Sequence, residues 1–494
     1  MKIAIICDLH MPANADSVQY HFLTEAAKQM RKDGITKVVS LGDLTSFGEL
    51  EGKAQYLSVL NDFEHYPLMG NSDVRDSQTV AAWFASATSY EINCDGRTLL
   101  CIHTPYGRLE PSDRVKIAAL KDGDILAMHH SVRSLDIDSR NFITVLAENR
   151  ALTVFHGHHH DFTDITLGKS RLIGFRALDP DKAIGNYPTI YYAEITADDI
   201  KFEEKYLTVP AATLRDASAY FGISCVDNHK DVAYAAENKV YAVELRCNGK
   251  DWTPDATLLP ALELWRSQTN GYLSIHMPNV HWKNGQLTGV EQWHQAAEYA
   301  KLVGANGMTI HPPRVKRNEM YPGSKAWNAF LELYAGTIGA LPETVNVGIE
   351  NLHLSPGEPD GPYSQFGCTP QEVASWIDTI NTTLGKNGRV GHTLDVGHAR
   401  NNGSIASPYP ISRWYEIMGK RVVAFHIHQV TRGENGMKNH QPIEDWFGPM
   451  VSYVSFFHCW EKGILNHKPA FFEVKGWENH KKSIEAFHAA FPEV

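Results

Sequence analysis

Residues 155–160 read F-H-G-H-H-H and are followed by Asp161. His158 and His160 are two positions apart, so on an extended or turning segment they reach one point from the same side. Imidazoles mixed with carboxylates and carbonyls suit manganese, iron or zinc. A His-rich tract alone is only compositional evidence of metal binding; the endings of other apolar runs add to it. Asp8 and His10 close the run 3–7 (IAIIC), and Gly42-Asp43 close 37–41 (KVVSL). Asn71-Ser72-Asp73 follow YPLMG, and His103 closes 98–102 (TLLCI). His129-His130 close 124–128 (DILAM), and the His tract itself follows 151–155 (ALTVF). Polar groups at strand ends converge on one rim of a sheet, which is where α/β proteins place ligands.

The second half repeats the device. Glu244, His276, His311, Glu350, Asp395, His426 with His428, and Glu473 all end apolar runs. Charged residues are rarely buried unless paired, so a set of such endings favours metal ligation over isolated core residues.

The elements that position these groups differ between the halves. In the first, short strands alternate with helical stretches such as 18–32, and the alternating strand 189–195 (TIYYAEI) with residues 200–208 closes an α/β domain over 1–208. Residues 209–218, with Pro210 and small residues, read as a linker. From 219 to 494 eight apolar runs (220–225, 240–246, 272–277, 307–311, 345–351, 390–396, 422–428 and 470–474) alternate with helical stretches such as 230–238, 288–303, 324–336 and 370–384. That alternation predicts a (β/α)8 barrel, with its site at the C-terminal rim of the strands. A domain the size of 1–208 is expected to fold without the barrel.

The chain has 494 residues, 43% hydrophobic and 21% charged, as in a soluble globular protein of two or three domains. The N-terminal apolar run is too short for a signal peptide, and no later stretch is long enough to span a bilayer. Seven dispersed cysteines without a C-x-x-C pair predict reduced thiols and a cytoplasmic location. The net charge is −11, with roughly −8 on residues 1–205 and roughly −3 on the remainder. Neither half is basic, which weighs against a nucleic-acid partner without excluding a local basic stripe. Nothing in the sequence specifies an oligomeric state.

In their order, Asp8-x-His10, Gly42-Asp43, Gly70-Asn71-Ser72-Asp73, His129-His130 and Gly157-His158-His159-His160 resemble the calcineurin-like metallophosphoesterases over roughly residues 1–205. The resemblance implies an α/β sandwich with two divalent ions (manganese, iron or zinc). Asp8, His10 and His160 would hold one, Asn71, His129 and His158 the other, and Asp43 would bridge them. Two cations about 3.5–4 Å apart clamp the attacking and leaving oxygens of an in-line displacement. Asp43, His10 and Asn71 are the candidate catalytic residues of this half. Many members have His at the position of Ser72, where it helps to protonate the leaving group. Either His10, His103 or His130 would replace it, or the substrate would carry a good leaving group. His103 is the alternative to His129 as ligand, and His156 and His159 are expected to pack locally or touch substrate.

In the second half, GIENL (348–352), LDVGH (394–398), FHIH (425–428) and FFEV (471–474) resemble the xylose-isomerase-like barrels, a group that includes endonuclease IV and many sugar and sugar-phosphate isomerases and epimerases. The resemblance implies one divalent ion, zinc or manganese, on Glu350, Asp395, His426 and Glu473. Glu350 and Glu473 would also be the acid/base pair of a proton transfer beside a carbonyl. The endonuclease IV branch implies up to three ions, with His276, His311, His398 and His440 as further ligands. Where that branch has an Asp two residues before the last His, this chain has Lys438, which puts a third ion in doubt.

Two classes of function follow. One is a dinuclear phosphoesterase fused to an isomerase- or epimerase-like barrel, both acting on a small phosphorylated, sugar-like or nucleotide compound. The other is a nucleic-acid phosphodiesterase with an abasic-site barrel. The acidic balance favours the first, because binding a phosphate backbone depends on clustered Lys and Arg.

Overall fold

The structure, a computed structural model, describes residues 1–76, 89–247, 252–354, 366–434 and 436–494. The chain divides into two compact units. One is Met1–Thr208 with Phe447–Val454; the other is Val209–Trp446 with Ser455–Val494.

The first unit contains two sheets. One joins β1 (Lys2–Ile6), β2 (Lys37–Ser40), β3 (Glu64–Pro67), β10 (Thr189–Ile195) and β11 (Ile200–Tyr206), in the order β11-β10-β1-β2-β3. The other joins β4 (Tyr90–Cys94), β5 (Arg97–Ile102), β6 (Ile125–Met128), β7 (Thr153–His156), β8 (Thr163–Leu167) and β9 (Ser170–Gly174), in the order β4-β5-β6-β7-β9-β8. Strand β1 shows why an apolar run without alternation is still a strand. Its Ile3 and Ile5 face the second sheet, while Ala4 and Ile6 face helices, so both faces are buried. Ile5, Val39 and Leu68 pack with Leu99, Ala127 and Phe155 between the sheets. Helices Val18–Lys32 and Leu50–Val59 cover one outer face through Leu23, Met30 and Tyr56. Helices Pro111–Ala119 and Ile137–Asn149 cover the other through Ile117 and Ile143. Strands β1, β2 and β3 are parallel, as are β5, β6 and β7, so the segments that follow them emerge together.

The second unit is a closed barrel of eight parallel strands: β12 (Phe221–Ser224), β13 (Ala242–Arg246), β14 (Tyr272–His276), β17 (Gly307–Ile310), β18 (Asn346–Glu350), β19 (Val390–Asp395), β20 (Val422–Ile427) and β23 (Ala470–Phe472). Each lies within one of the eight apolar runs. Two hairpins, β15 (His281–Lys283) with β16 (Gln286–Thr288) and β21 (Gln429–Gly433) with β22 (Gly436–Gln441), follow β14 and β20.

Two expectations are corrected. Residues 209–218 are no free linker, since Ala211–Ser218 is a helix of the second unit that buries Leu214 and Ala217. Pro210, read as part of the linker, stands at its N-cap, where the missing N–H costs nothing. Residues 447–454 do not group with the rest of 219–494. They group with the first unit, where Gly185 N–H donates to the Phe447 carbonyl at 3.0 Å and the Phe447 ring meets Tyr187 at 5.0 Å. A returning segment of this kind leaves no mark in a linear reading.

Candidate metal centres

In the first unit, Asp43 sends its two carboxylate oxygens in different directions. Oδ2 lies 3.2 Å from His10 Nε2, and Oδ1 lies 3.5 Å from His129 Nε2. Around the first position stand His10 and Asp8, with His160 Nε2 at 3.6 Å from Asp8 Oδ1. Around the second, His129 Nε2 lies 3.2 Å from Asn71 Oδ1 and 3.3 Å from His158 Nδ1. His129 Nδ1 is 2.8 Å from the Leu41 carbonyl. That contact fixes the proton on Nδ1 and leaves Nε2 a lone pair, the usual arrangement of a ligating imidazole. The structure thus brings together Asp8, His10, Asp43, Asn71, His129, His158 and His160.

The backbone bends to do this. Asp8, His10, Asp43, His158 and His160 all have left-handed φ, between 50° and 71°, a conformation that costs free energy and is concentrated at functional sites. Gly157 approaches Asp8 so closely that a Cβ there would stand 2.5 Å from Oδ2. His158 N–H in turn donates to both Asp8 oxygens, at 3.2 and 3.0 Å.

Burial dominates the electrostatics. It raises the pKa of Asp8 and lowers those of His158, to about 4, and His160, so both rings are neutral near pH 7. Asp43 is also penalised by burial, but His129 and His10 outweigh it and hold the carboxyl well below the usual range. His10 is raised: burial and Lys182 oppose its charged form, and Asp179 and Asp43 overcome them.

The neighbouring groups have other partners. Ser72 is fully buried and donates its hydroxyl to the Thr45 carbonyl at 2.7 Å, away from the ligand sets. His103 accepts the Met69 N–H on Nδ1 at 3.0 Å. His130 contacts Thr104 Oγ1 at 3.3 Å, stands beside His158 and is pushed to a pKa of about 3 by burial. His159 bonds Ser131 Oγ at 2.7 Å, and His156 lies 3.1 Å from the Gly157 carbonyl.

In the barrel, Glu350, Asp395, His426 and Glu473 end four neighbouring strands. His426 Nδ1 lies 3.2 Å from Glu473 Oε2, 3.6 Å from Glu350 Oε1 and 4.0 Å from Asp395 Oδ2. These four atoms are buried without a partner in hydrogen-bond geometry. Three converging carboxylates would repel unless positive charge lay among them, so the set fits a divalent cation. The other oxygen of Glu350 faces His276 Nε2 at 3.3 Å and His311 Nε2 at 3.1 Å, a second candidate group. His398 Nδ1 stands 3.2–3.3 Å from Asp395 and Glu350, and His440 Nδ1 stands 3.3 Å from Glu473 Oε2.

Burial again opposes charge here, and the partners win. His398 is held at about 9 by Asp395 and Glu350, and His426 well above its usual value by Glu244, Glu473 and Glu350. Glu350 is held down by His311 and His426, Glu473 by His440 and His426, and Asp395 by His398 and His428.

Glu244, expected among the rim groups, sits inside the barrel instead. It accepts from Ser224 (3.0 Å) and Thr309 (2.8 Å) and lies 2.9 Å from His426 Nε2. A buried carboxylate on the far nitrogen orients a ligating ring. Lys438 is exposed on the β21–β22 hairpin opposite Thr431.

Sequence reasoning missed the supporting groups. Asp179 lies 3.3 Å from His10 Nδ1, and Arg246 pairs with Glu473 Oε1. Asp73 accepts backbone N–H from Leu44, Thr45 and Gly70, tying together the segments that carry Asp43 and Asn71. Asn351 ties to Asp395 by two hydrogen bonds. Asp73 and Asn351 lie inside the quoted motifs, which was the one available signal; Asp179 and Arg246 had none.

The first unit is an α/β sandwich with one carboxylate placed between two ligand groups; the second is a β/α barrel with a carboxylate–imidazole cluster at its strand ends. The chain belongs to the xylose isomerase-like TIM barrel family, whose sequence model matches residues 232–492, and its residues 1–162 match the calcineurin-like phosphoesterase model. No curated protein matches the chain. Among solved structures it is similar to a D-tagatose 3-epimerase-like protein, with 17% identity over 55% of this chain and 97% of that one and a TM-score of 0.42. An L-ribulose 3-epimerase has 12% identity over 54% and 84%, with a TM-score of 0.34. A dimetal phosphatase from Danio rerio has 10% identity over 41% and 95%, with a TM-score of 0.34. Likenesses at these TM-scores carry no argument about chemistry.

Proposed function

We propose that the first unit hydrolyses a phosphate ester with two divalent ions, and that the barrel isomerises or epimerises a small phosphorylated, sugar-like compound with at least one more. The observation that carries the first part is the division of Asp43 between His10 and His129. Asp8, His10 and His160 hold one ion in this reading, and Asn71, His129 and His158 the other. Such a pair supplies Lewis-acid stabilisation and lowers the pKa of water to the neutral range. Asn71 contributes an oxygen without a further negative charge. The Ser72 side chain takes no part, because its hydroxyl is committed to the Thr45 carbonyl, while its backbone N–H donates to Asp43 Oδ1 at 2.8 Å. His130, neutral at pH 7, serves as a hydrogen-bonding group beside His158.

In the barrel, Glu350, Asp395, His426 and Glu473 hold the ion. His440 and His426, with Arg246 on its second oxygen, keep the Glu473 carboxylate ionised and so free to accept a proton. Glu350 is the other carboxylate able to return one. The His276–His311–Glu350 group favours the second reading, a nucleic-acid phosphodiesterase with more than one barrel ion. Against it stands the net charge of −11.

A screen of the full chain with zinc or manganese, against phosphomonoesters, phosphodiesters, sugar phosphates and a duplex with an abasic site, tests both. Turnover of small phosphate esters and interconversion of a sugar phosphate are expected. Cleavage of the abasic duplex without small-molecule turnover would replace the first reading with the second.

A further inference from the structure

His398, His428 and His440 lie close enough to make a three-imidazole ion site beside the quartet. The hydrogen bonds of His428 say otherwise. Its Nδ1 accepts the backbone N–H of His440 at 3.0 Å. A backbone N–H can only donate, so Nδ1 carries the lone pair and the ring proton sits on Nε2. That nitrogen is 3.1 Å from Asp395 Oδ1. The Gln429 carbonyl is also 3.0 Å from Nδ1. The opposite tautomer would satisfy it, but would turn Nδ1–H against the His440 N–H and a lone pair against the carboxylate, losing two contacts to gain one. Asp395 Oδ1 accepts the His398 N–H as well, at 2.6 Å. Both donors therefore fall on Oδ1, and Oδ2 is left without one. The fit is close: His428 is fully buried, and a Cβ on Gly397 of the LDVGH motif would stand 1.9 Å from its ring.

We infer that His428 is a positioning residue, not an ion ligand: it clamps Asp395 so that only Oδ2 is offered to the quartet ion, and in doing so removes the ring that a third ion would need. This rests on the reading of Glu350, Asp395, His426 and Glu473 as an ion site. With Lys438 turned to solvent, only His398 and His440 are left of the three-imidazole group, and the barrel holds at most two ions.

The test uses the full chain and zinc alone. Ions at saturation are counted by elemental analysis, and barrel affinity is measured by chelator competition. The first unit's two ions serve as internal control. Gln can accept from the His440 N–H or donate to Asp395, so His428→Gln should hold zinc within about threefold of wild type. His428→Leu should weaken the barrel's zinc affinity by about 10–100-fold, the usual cost of losing an outer-shell partner. The ion count at saturation should not change in either. If His428→Leu does not fold, His428→Asn, which cannot span both contacts, should fall between wild type and that loss. Overturning results would be five ions on the wild-type chain with one lost in both variants, or affinity unchanged in His428→Leu. If Glu350→Gln and wild type carry the same ion count, the underlying reading fails instead.

Discussion

Asp43 is the residue on which the first site turns, because its two oxygens face separate ligand groups. Asp43→Asn should lower phosphoesterase turnover by at least about 100-fold and reduce ion content, since it removes more than the outer-shell partners whose loss already costs about 10–100-fold. Wild-type turnover and ion content in that variant would end the assignment. Ser72 gives the opposite expectation. Ser72→Ala should leave turnover within about twofold and cost about 1 kcal/mol of stability in denaturant titration, the worth of one buried hydrogen bond. A large loss of turnover with stability unchanged would return Ser72 to the reaction. At this scale the sequence was legible where a candidate ligand ends a strand, as with Asp8 or Glu350. It was illegible where a supporting group arrives from elsewhere: Asp179 reaches His10 from 169 positions along the chain, and Arg246 reaches Glu473 from 227.

The strands were read from apolar runs, and all eight barrel runs contain their strands because a strand buried on both faces is mostly apolar, with only single polar residues such as Glu244 or Thr309 within it. The hairpins β8–β9, β15–β16 and β21–β22 are short and half exposed, so their pattern is weak. Glu244 shows the limit of reading strand ends: the register places it beneath the rim, against Ser224, Thr309 and His426. The barrel's strand ends also predict a pH dependence in the metal-free chain. His398 rises from 6.5 to about 9 on folding, so its contribution is complete below pH 6.5 and lost as pH climbs through about 9. Glu350 and Glu473 are held below 4.5, so theirs is present above pH 4.5 and lost as pH falls. His311, His353, His392 and His480 are held neutral by burial, at about 3 to 4, and cost stability as pH falls below 6.5, so the barrel's melting temperature should be highest near pH 6.5 and decline toward pH 9. Bound zinc, supplying the positive charge itself, should flatten that decline. Calorimetry at several pH values, with and without zinc, checks this; a metal-free barrel as stable at pH 9 as at pH 6.5 would contradict it.

For the whole molecule, two units with separate candidate ligand sets imply separable activities. The division was legible in the change from one strand rhythm to the other, but the return of Phe447–Val454 to the first unit was not. A fragment of residues 1–208 should keep both sheets and bind its ions. Lacking the Phe447 contacts with Gly185 and Tyr187, it should melt below the corresponding transition of the full chain; equal melting temperatures would show that segment to be dispensable. No helix among the described residues is long and apolar enough to cross a membrane.

The central claim is that one chain carries two independent metal sites, and counting ions in zinc-loaded wild type, Asp43→Asn and Glu350→Gln tests it most directly when phosphoesterase turnover is measured on the same samples. Asp43→Asn should lose ions and turnover together while the barrel's ions remain. Glu350→Gln should lose the barrel's ions and keep turnover near wild type. Loss of turnover in Glu350→Gln with the first unit's ions still in place, or an ion count the same in all three proteins, would contradict the account.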